Sequence, residues 1–355
     1  MAPTIPPSFP QGSAGSLLAG NRAPNSLVPD LEHNASDSSG HLPVLAAKVV
    51  AGLRPHDGGI YLDGTFGGGG HTCAILDASA PTGRVVALDA DPAARNRAES
   101  LRDHGALGDR LEFVHGNFAD VIALRDQARW PLFDGVLLDL GLSSFQLDDP
   151  ARGFAFRFDG PLDMRFDPTS GPSAADLIRD LSEADLANLL FRFGEEPRSR
   201  RIARAIVRER GNAPITSTAR LTVIVEKAVG GRRGALTHPA TRTFQALRIA
   251  VNGELDALAA GLSAAIAALK PGGRLAVIAF HSLEDRIVKR AIDAATATCV
   301  CPPEQPICTC DTHPTLRKVG KAIRPGETER LENPRARSAI MRVAERTDAP
   351  LEVRG

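Results

Sequence analysis

Short apolar runs alternate with longer amphipathic stretches along most of this 355-residue chain. Ile60 to Leu62, Arg84 to Asp89, Leu111 to His115, Asp134 to Asp139 and Arg274 to Phe280 read as strands, short and apolar enough to be buried. Elsewhere the period becomes helical. Leu186, Leu189, Leu190 and Phe193 follow the i, i+3, i+4, i+7 rule behind Ser182, an N-cap residue type. Phe244, Leu247, Val251, Leu255, Leu258, Leu262, Ile266 and Leu269 keep one stripe of a single long helix, which Lys270-Pro271-Gly272-Gly273 stops. A last strand is read over Ala339 to Val343. Strands alternating with helices predict an α/β fold with a doubly wound sheet. The helical pattern of about 173–235 interrupts it after the fourth strand. The sheet domain is therefore discontinuous, 41–147 and 236–347, with 148–235 as a loop plus an inserted helical domain. Residues 1–40 hold six Pro, seven Ser and four Gly with little apolar periodicity, and read as a disordered tail. Residues 348–355 read as a frayed end.

The first strand runs into Asp63-Gly64-Thr65-Phe66-Gly67-Gly68-Gly69-Gly70-His71, where five of the seven residues from Gly64 to Gly70 are glycine. A strand that ends in such a loop and feeds a helix is the usual nucleotide-cofactor corner of a doubly wound sheet. The spacing misses the dinucleotide fingerprint Gly-x-Gly-x-x-Gly. Asp63, Asp89 and Asp139 all fall at strand ends, where ligands of such sheets sit. Asp89 is placed to bond ribose hydroxyls, and Asp91 before Pro92 reads as a structural N-cap. Asp63 suits an ammonium group. Phe118 offers a ring for an adenine or for the core. An acidic strand end followed by a spaced glycine run resembles the first motif of S-adenosylmethionine-dependent methyltransferases.

Composition changes this picture in one place. Net charge is zero, but residues 197–248 hold eleven Arg and one Lys against Glu209 and Glu226, a net of +10. Concentrated charge of this kind is the footprint of a polyanion partner, and nucleic acid is the favoured reading. The Gly-, Pro- and Phe-rich stretch of 146–165 lacks a helical period, and a long loop in a compact protein is usually functional. Its Phe154, Phe156 and Phe158 stack on bases or pack a lid. No apolar run approaches the ~20 residues of a membrane span, and no signal peptide is apparent, so a cytoplasmic location is expected. Cys299, Cys301, Cys308 and Cys310 lie within twelve residues, with His313 nearby. Their C-x-C spacing departs from that of structural zinc sites, so a reduced, solvent-facing loop is the favoured reading and no metal is assigned. His281, at a strand's carboxyl end, reads equally as a substrate-facing or a structural residue, and Ser282 reads as the cap of the next helix.

The segments Asp63-Gly64-Thr65-Phe66-Gly67 through His71, Leu138-Asp139-Leu140-Gly141 with Ser143-Ser144 and Gln146-Leu147-Asp148, Asp159 to Arg165, His238 to Ala246, Phe280 to Arg286 and Asn333 to Ser338 together resemble the RsmH (MraW) family closely, in order, over about 41–347. The resemblance implies a Rossmann-like class I methyltransferase sheet with an inserted helical domain. It implies S-adenosylmethionine as cofactor and N4 of cytosine 1402 in 16S rRNA of the small ribosomal subunit as substrate, by a direct displacement that needs no metal. It carries the family's cofactor contacts onto Gly69, Gly70, His71, Asp89, Phe118, Asp139 and Gln146. Asp139 is the candidate acceptor for the N4 protons, although Leu140-Gly141-Leu142 follows it where many amino-methyltransferases have Pro-Pro-Tyr. The rival readings are a nicotinamide-dependent oxidoreductase and a non-catalytic ribosome assembly factor.

Overall fold

The structure, a computed structural model, describes residues 42–104, 107–232, 237–299, 301, 302, 305, 307 and 309–351. The tail read over residues 1–40 lies outside the described residues, as do Cys308 and the last four residues of the chain.

Seven strands form one sheet: β1 (Ile60–Asp63), β2 (Arg84–Asp89), β3 (Leu111–His115), β4 (Phe133–Asp139), β5 (Leu269–Ala279), β6 (Leu316–Lys318) and β7 (Ile340–Arg346). Their order is β3-β2-β1-β4-β5-β7-β6. The first five are parallel, while β7 runs antiparallel to both β5 and β6. This is the class I methyltransferase sheet. The three-residue β6 at its edge has no signal in the sequence pattern.

The helices are α1 (Ala46–Leu53), α2 (Gly70–Ala78), α3 (Ala94–His104), α4 (Val121–Ala128), α5 (Ser144–Asp148), α6 (Ala174–Asp180), α7 (Glu183–Gly194), α8 (Ser199–Asn212), α9 (Thr218–Val229), α10 (Thr241–Asn252), α11 (Glu254–Ala268), α12 (Ser282–Ala295) and α13 (Glu327–Glu332). Because side chains alternate along a strand, each central strand feeds both faces of the sheet. Leu62, Val136, Leu138, Leu275 and Val277 pack on one face with Leu258 and Leu262 of α11. Tyr61, Leu137, Ala276 and Ile278 pack on the other with Val49 of α1 and Ile75 of α2.

A third cluster joins Leu186, Leu190, Ile202, Ile206, Leu221 and Val225 of the helical insertion to Phe244 and Leu247 of α10. The helical layer thus extends past the 235 boundary read from sequence. The single long helix read after Thr237 is two, bent by 58°. Gly253 between them takes φ 58, a left-handed conformation cheap only for glycine. The bend lets α10 pack on the insertion while α11 packs on the sheet. Among the described residues, no single helix is long and apolar enough to cross a membrane.

Candidate functional site

The strand order reverses between β1 and β4, and ligands of open α/β sheets sit beyond the carboxyl ends of the strands at that point. The glycine loop begins there. Gly64 N–H donates to Leu137 O at 2.9 Å, and Phe66 N–H to Leu88 O at 2.8 Å, so the loop bridges the ends of three strands. The Thr65 hydroxyl accepts the Asp139 N–H at 2.7 Å and locks β4 to the loop. Gly69 has φ 82, and a Cβ there would fall 2.5 Å from Leu101 Cδ1 and 2.9 Å from Phe66 Cζ. The positive φ and the close contacts make any side chain there strained. A Cβ on Gly68 would fall 2.9 Å from Cε2 of the partly exposed Phe145 ring, a side chain that can shift.

Gly69, Gly70 and His71 form the N-terminus of α2; Gly69 N–H is spent on Phe66 O at 2.7 Å, and the first turn of a helix favours a negative group. His71 Nε2 lies 3.3 Å from Asp139 Oδ2. That is ion-pair range, but off the direction of a good hydrogen bond. Both ring nitrogens of His71 and Asp139 Oδ1 are buried without a hydrogen-bond partner among the described residues. Burial works against the imidazolium, yet Asp139 and Asp63 outweigh it and hold the His71 pKa above its ordinary value.

Asp63 is fully buried and spends its oxygens on Thr65 N–H and the Thr72 hydroxyl. It props the loop and is not presented to an ammonium group, contrary to the sequence reading. Asp89 accepts Gly67 N–H at 2.7 Å and Asp91 N–H at 2.8 Å. Burial nevertheless pushes its pKa up to about 6. Asp91 is buried and does more than cap. It accepts Ala93 N–H, and its other oxygen pairs with Arg152 at 2.8 Å and takes a Gln146 amide proton at 3.2 Å. Gln146 also accepts the Ser143 N–H in a capping box. Its side chain therefore fastens α5 rather than standing free. Phe118 packs its ring on α11, where a Cβ on Gly261 would fall 2.2 Å from Phe118 Cδ2, so packing claims most of this ring.

Sequence reasoning missed two participants. Arg97 donates to Gly67 O at 2.8 Å, stacks 4.6 Å from the Phe145 ring, and keeps Nη2 buried without a partner among the described residues. Arg152 fastens the 149–173 loop by also donating to Arg165 O and Phe166 O. No local pattern marks either residue, because their partners are distant in sequence.

His281 turns out to be the N-cap of α12, in a capping box with Glu284, and Ser282 is the first helical residue. The Ser282 hydroxyl and the Arg286 guanidinium both bond Glu195 at the end of α7, tying the insertion to the sheet. In the Phe-rich loop, Phe154 is buried against Phe166 and Phe156 stacks on His238, leaving Phe158 exposed. The +10 stretch is largely consumed internally. Arg198, Arg210, Arg220 and Arg242 donate to backbone carbonyls. Arg248 pairs with Glu254 at 2.8 Å. Arg204 and Arg208 form exposed ion pairs. Arg200, Arg201 and Arg232 remain exposed.

The glycine cradle, the carboxylates at the strand ends and the orphaned buried atoms of His71 and Asp139 fit a small cofactor carrying charge and hydroxyl groups. Residues 38–347 match the MraW methylase family. The ribosomal RNA small subunit methyltransferase H of Thermomicrobium roseum is 54% identical over 310 residues, which cover 87% of this chain and 94% of that protein. Those of Azorhizobium caulinodans and Syntrophotalea carbinolica are 52% and 48% identical, covering 87% and 86% of this chain and 88% and 98% of theirs. The chain belongs to the MraW methylase family, and its cofactor is S-adenosylmethionine.

Proposed function

We propose that the protein methylates ribosomal RNA of the small subunit, at the N4 amino group of the cytosine numbered 1402 in 16S rRNA. The observation that carries the reading is the 54% identity extending over 94% of a ribosomal RNA small subunit methyltransferase H. Acting on ribosomal RNA gives it a cytoplasmic location.

S-adenosylmethionine, when bound, supplies a methyl group on a sulfonium, an electrophile strong enough to react without a metal. Gly69, Gly70, His71 and Asp89 hold this cofactor, with Phe118 at the same strand edge. Gln146 contributes through Asp91 and Ser143. The amino lone pair of cytosine is conjugated with its ring, so it is a weak nucleophile. Asp139 Oδ1, without a hydrogen-bond partner among the described residues, accepts a hydrogen bond from N4–H, localises the lone pair and opposes the positive charge that develops on nitrogen. His71, held toward its charged form, fixes the orientation of Asp139. The target base has to leave its stack to reach this edge. Phe158 and the exposed Arg200 and Arg201 offer contacts for the surrounding strand.

The test is transfer of a labelled methyl group to small ribosomal subunits, with the modified base mapped by mass spectrometry. N4-methylcytosine at that one position is the expected result. A chain that binds the cofactor yet leaves both subunits and naked rRNA unlabelled overturns the reading in favour of an assembly role.

A further inference from the structure

Between α12 and β6 the chain brings the sulfurs of Cys299, Cys301 and Cys310 together, all within 4.8 Å of one another. We propose that these three thiolates form a structural site for a thiophilic divalent cation, zinc, that closes the segment linking the last helix to the edge strand.

Geometry carries the argument. Thiolates on one tetrahedral zinc, with Zn–S bonds of ~2.3 Å, sit about 3.8 Å apart. Bringing these sulfurs to that separation takes movements of about an ångström or less at a loop that is only partly buried. The backbone is already arranged for thiolates. Cys301 N–H points at Cys299 Sγ, at 3.4 Å. Such an N–H···S contact offsets part of the charge that accumulates when several thiolates share one ion. Soft thiolate donors select zinc over magnesium or calcium. His313, a ligand candidate by sequence, pairs with Asp311 at 3.1 Å and is not part of the sulfur group.

The C-x-C spacing that argued against zinc in the sequence is thus offset by tertiary proximity, with Cys310 closing on the pair from nine residues downstream. Binding releases the thiol protons to solvent, so affinity rises with pH. The site is remote in sequence from the glycine loop and stands independently of the reaction assigned to it.

The test uses the full chain, purified under reducing conditions, stripped with chelator and titrated with ZnCl2 and, separately, CoCl2. About one equivalent of zinc per chain is expected, with the visible bands of tetrahedral cobalt and thiolate-to-metal charge transfer in the near ultraviolet. Cys301→Ser alone, and Cys299→Ser with Cys310→Ser, are expected to abolish both signals. Zinc is also expected to protect the wild-type cysteines from alkylation and the 299–310 segment from protease, which reads the site even if a variant folds poorly. The proposal is overturned if wild-type chain binds neither ion stoichiometrically. It is equally overturned if binding survives in the triple serine variant, or if the cysteines are recovered as a metal-free disulfide.

Discussion

At the glycine-loop end of the sheet, polar atoms are buried and left over. Both nitrogens of His71, Asp139 Oδ1 and Arg97 Nη2 lack a hydrogen-bond partner among the described residues. In the helical insertion and α10 the reverse holds, because seven of the eleven guanidinium groups of the +10 stretch are already bonded to carbonyls or carboxylates of the same chain. The difference separates two uses of polarity. Leaving a buried polar group unpaired costs free energy, so a cluster of them marks a place completed by a ligand. A guanidinium bonded to a helix-end carbonyl is structural, however much charge it adds to a census.

The sharpest way to break this contrast is Arg248→Ala. Arg248 is largely buried and pairs with Glu254, so removing it strands a carboxylate and should cost about 3–5 kcal/mol of stability. Denaturant unfolding checks this. A loss confined to RNA binding would return Arg248 to the nucleic-acid face.

Asp139→Ala should lower methyl transfer by about 10²–10³-fold while the thermal transition moves little. Retained kcat with unchanged cofactor affinity would remove Asp139 from the site. Gly69→Ala should cost about 1–3 kcal/mol and most cofactor affinity, through its φ of 82 and the contact with Leu101. Gly68→Ala, which displaces only an exposed ring edge, should be nearly silent. Calorimetry of the two variants side by side decides whether the loop is strained at one position or throughout.

A pH dependence follows from Asp89. Its folded-state pKa is about 6, above the unfolded carboxylate value. The native chain therefore binds the extra proton between about pH 4 and 6, and this group's contribution to stability falls as pH rises through that window. The ionised carboxylate is the stronger acceptor for ribose hydroxyls, so cofactor affinity should tighten several-fold as pH rises through 6. Titration calorimetry should find that dependence flattened in Asp89→Asn. The smallest effect is expected from Arg200→Ala with Arg201→Ala. Stability should stay within ~0.5 kcal/mol, while affinity for RNA falls and its salt dependence loses about one unit of slope per residue.

The strands were legible because burial on both faces makes them short apolar runs, and a doubly wound α/β sheet followed from their alternation with helices, while its class I methyltransferase form was what the family resemblance implied. The glycine loop was legible because its conformational demands are met by adjacent residues. Gly253 was not recognised as a bend, since the apolar stripe from Phe244 to Leu269 continues through it without losing its period. The α12 cap was placed one residue late because a histidine, a weaker capping type than serine, takes that role with Glu284.

The amino-acid sequence by itself determined the sheet, the cofactor loop and the acids at its strand ends, because each depends on residues within a turn or two of one another. Only the tertiary structure decided which charges are available. Whether Asp63 meets a ligand or a threonine, whether Gln146 binds or braces, whether an arginine faces RNA or a carbonyl, and whether three cysteines meet, all depend on partners brought from elsewhere in the chain. Hydrogen bonds and ion pairs act over a few ångströms, and sequence distance carries no record of that separation.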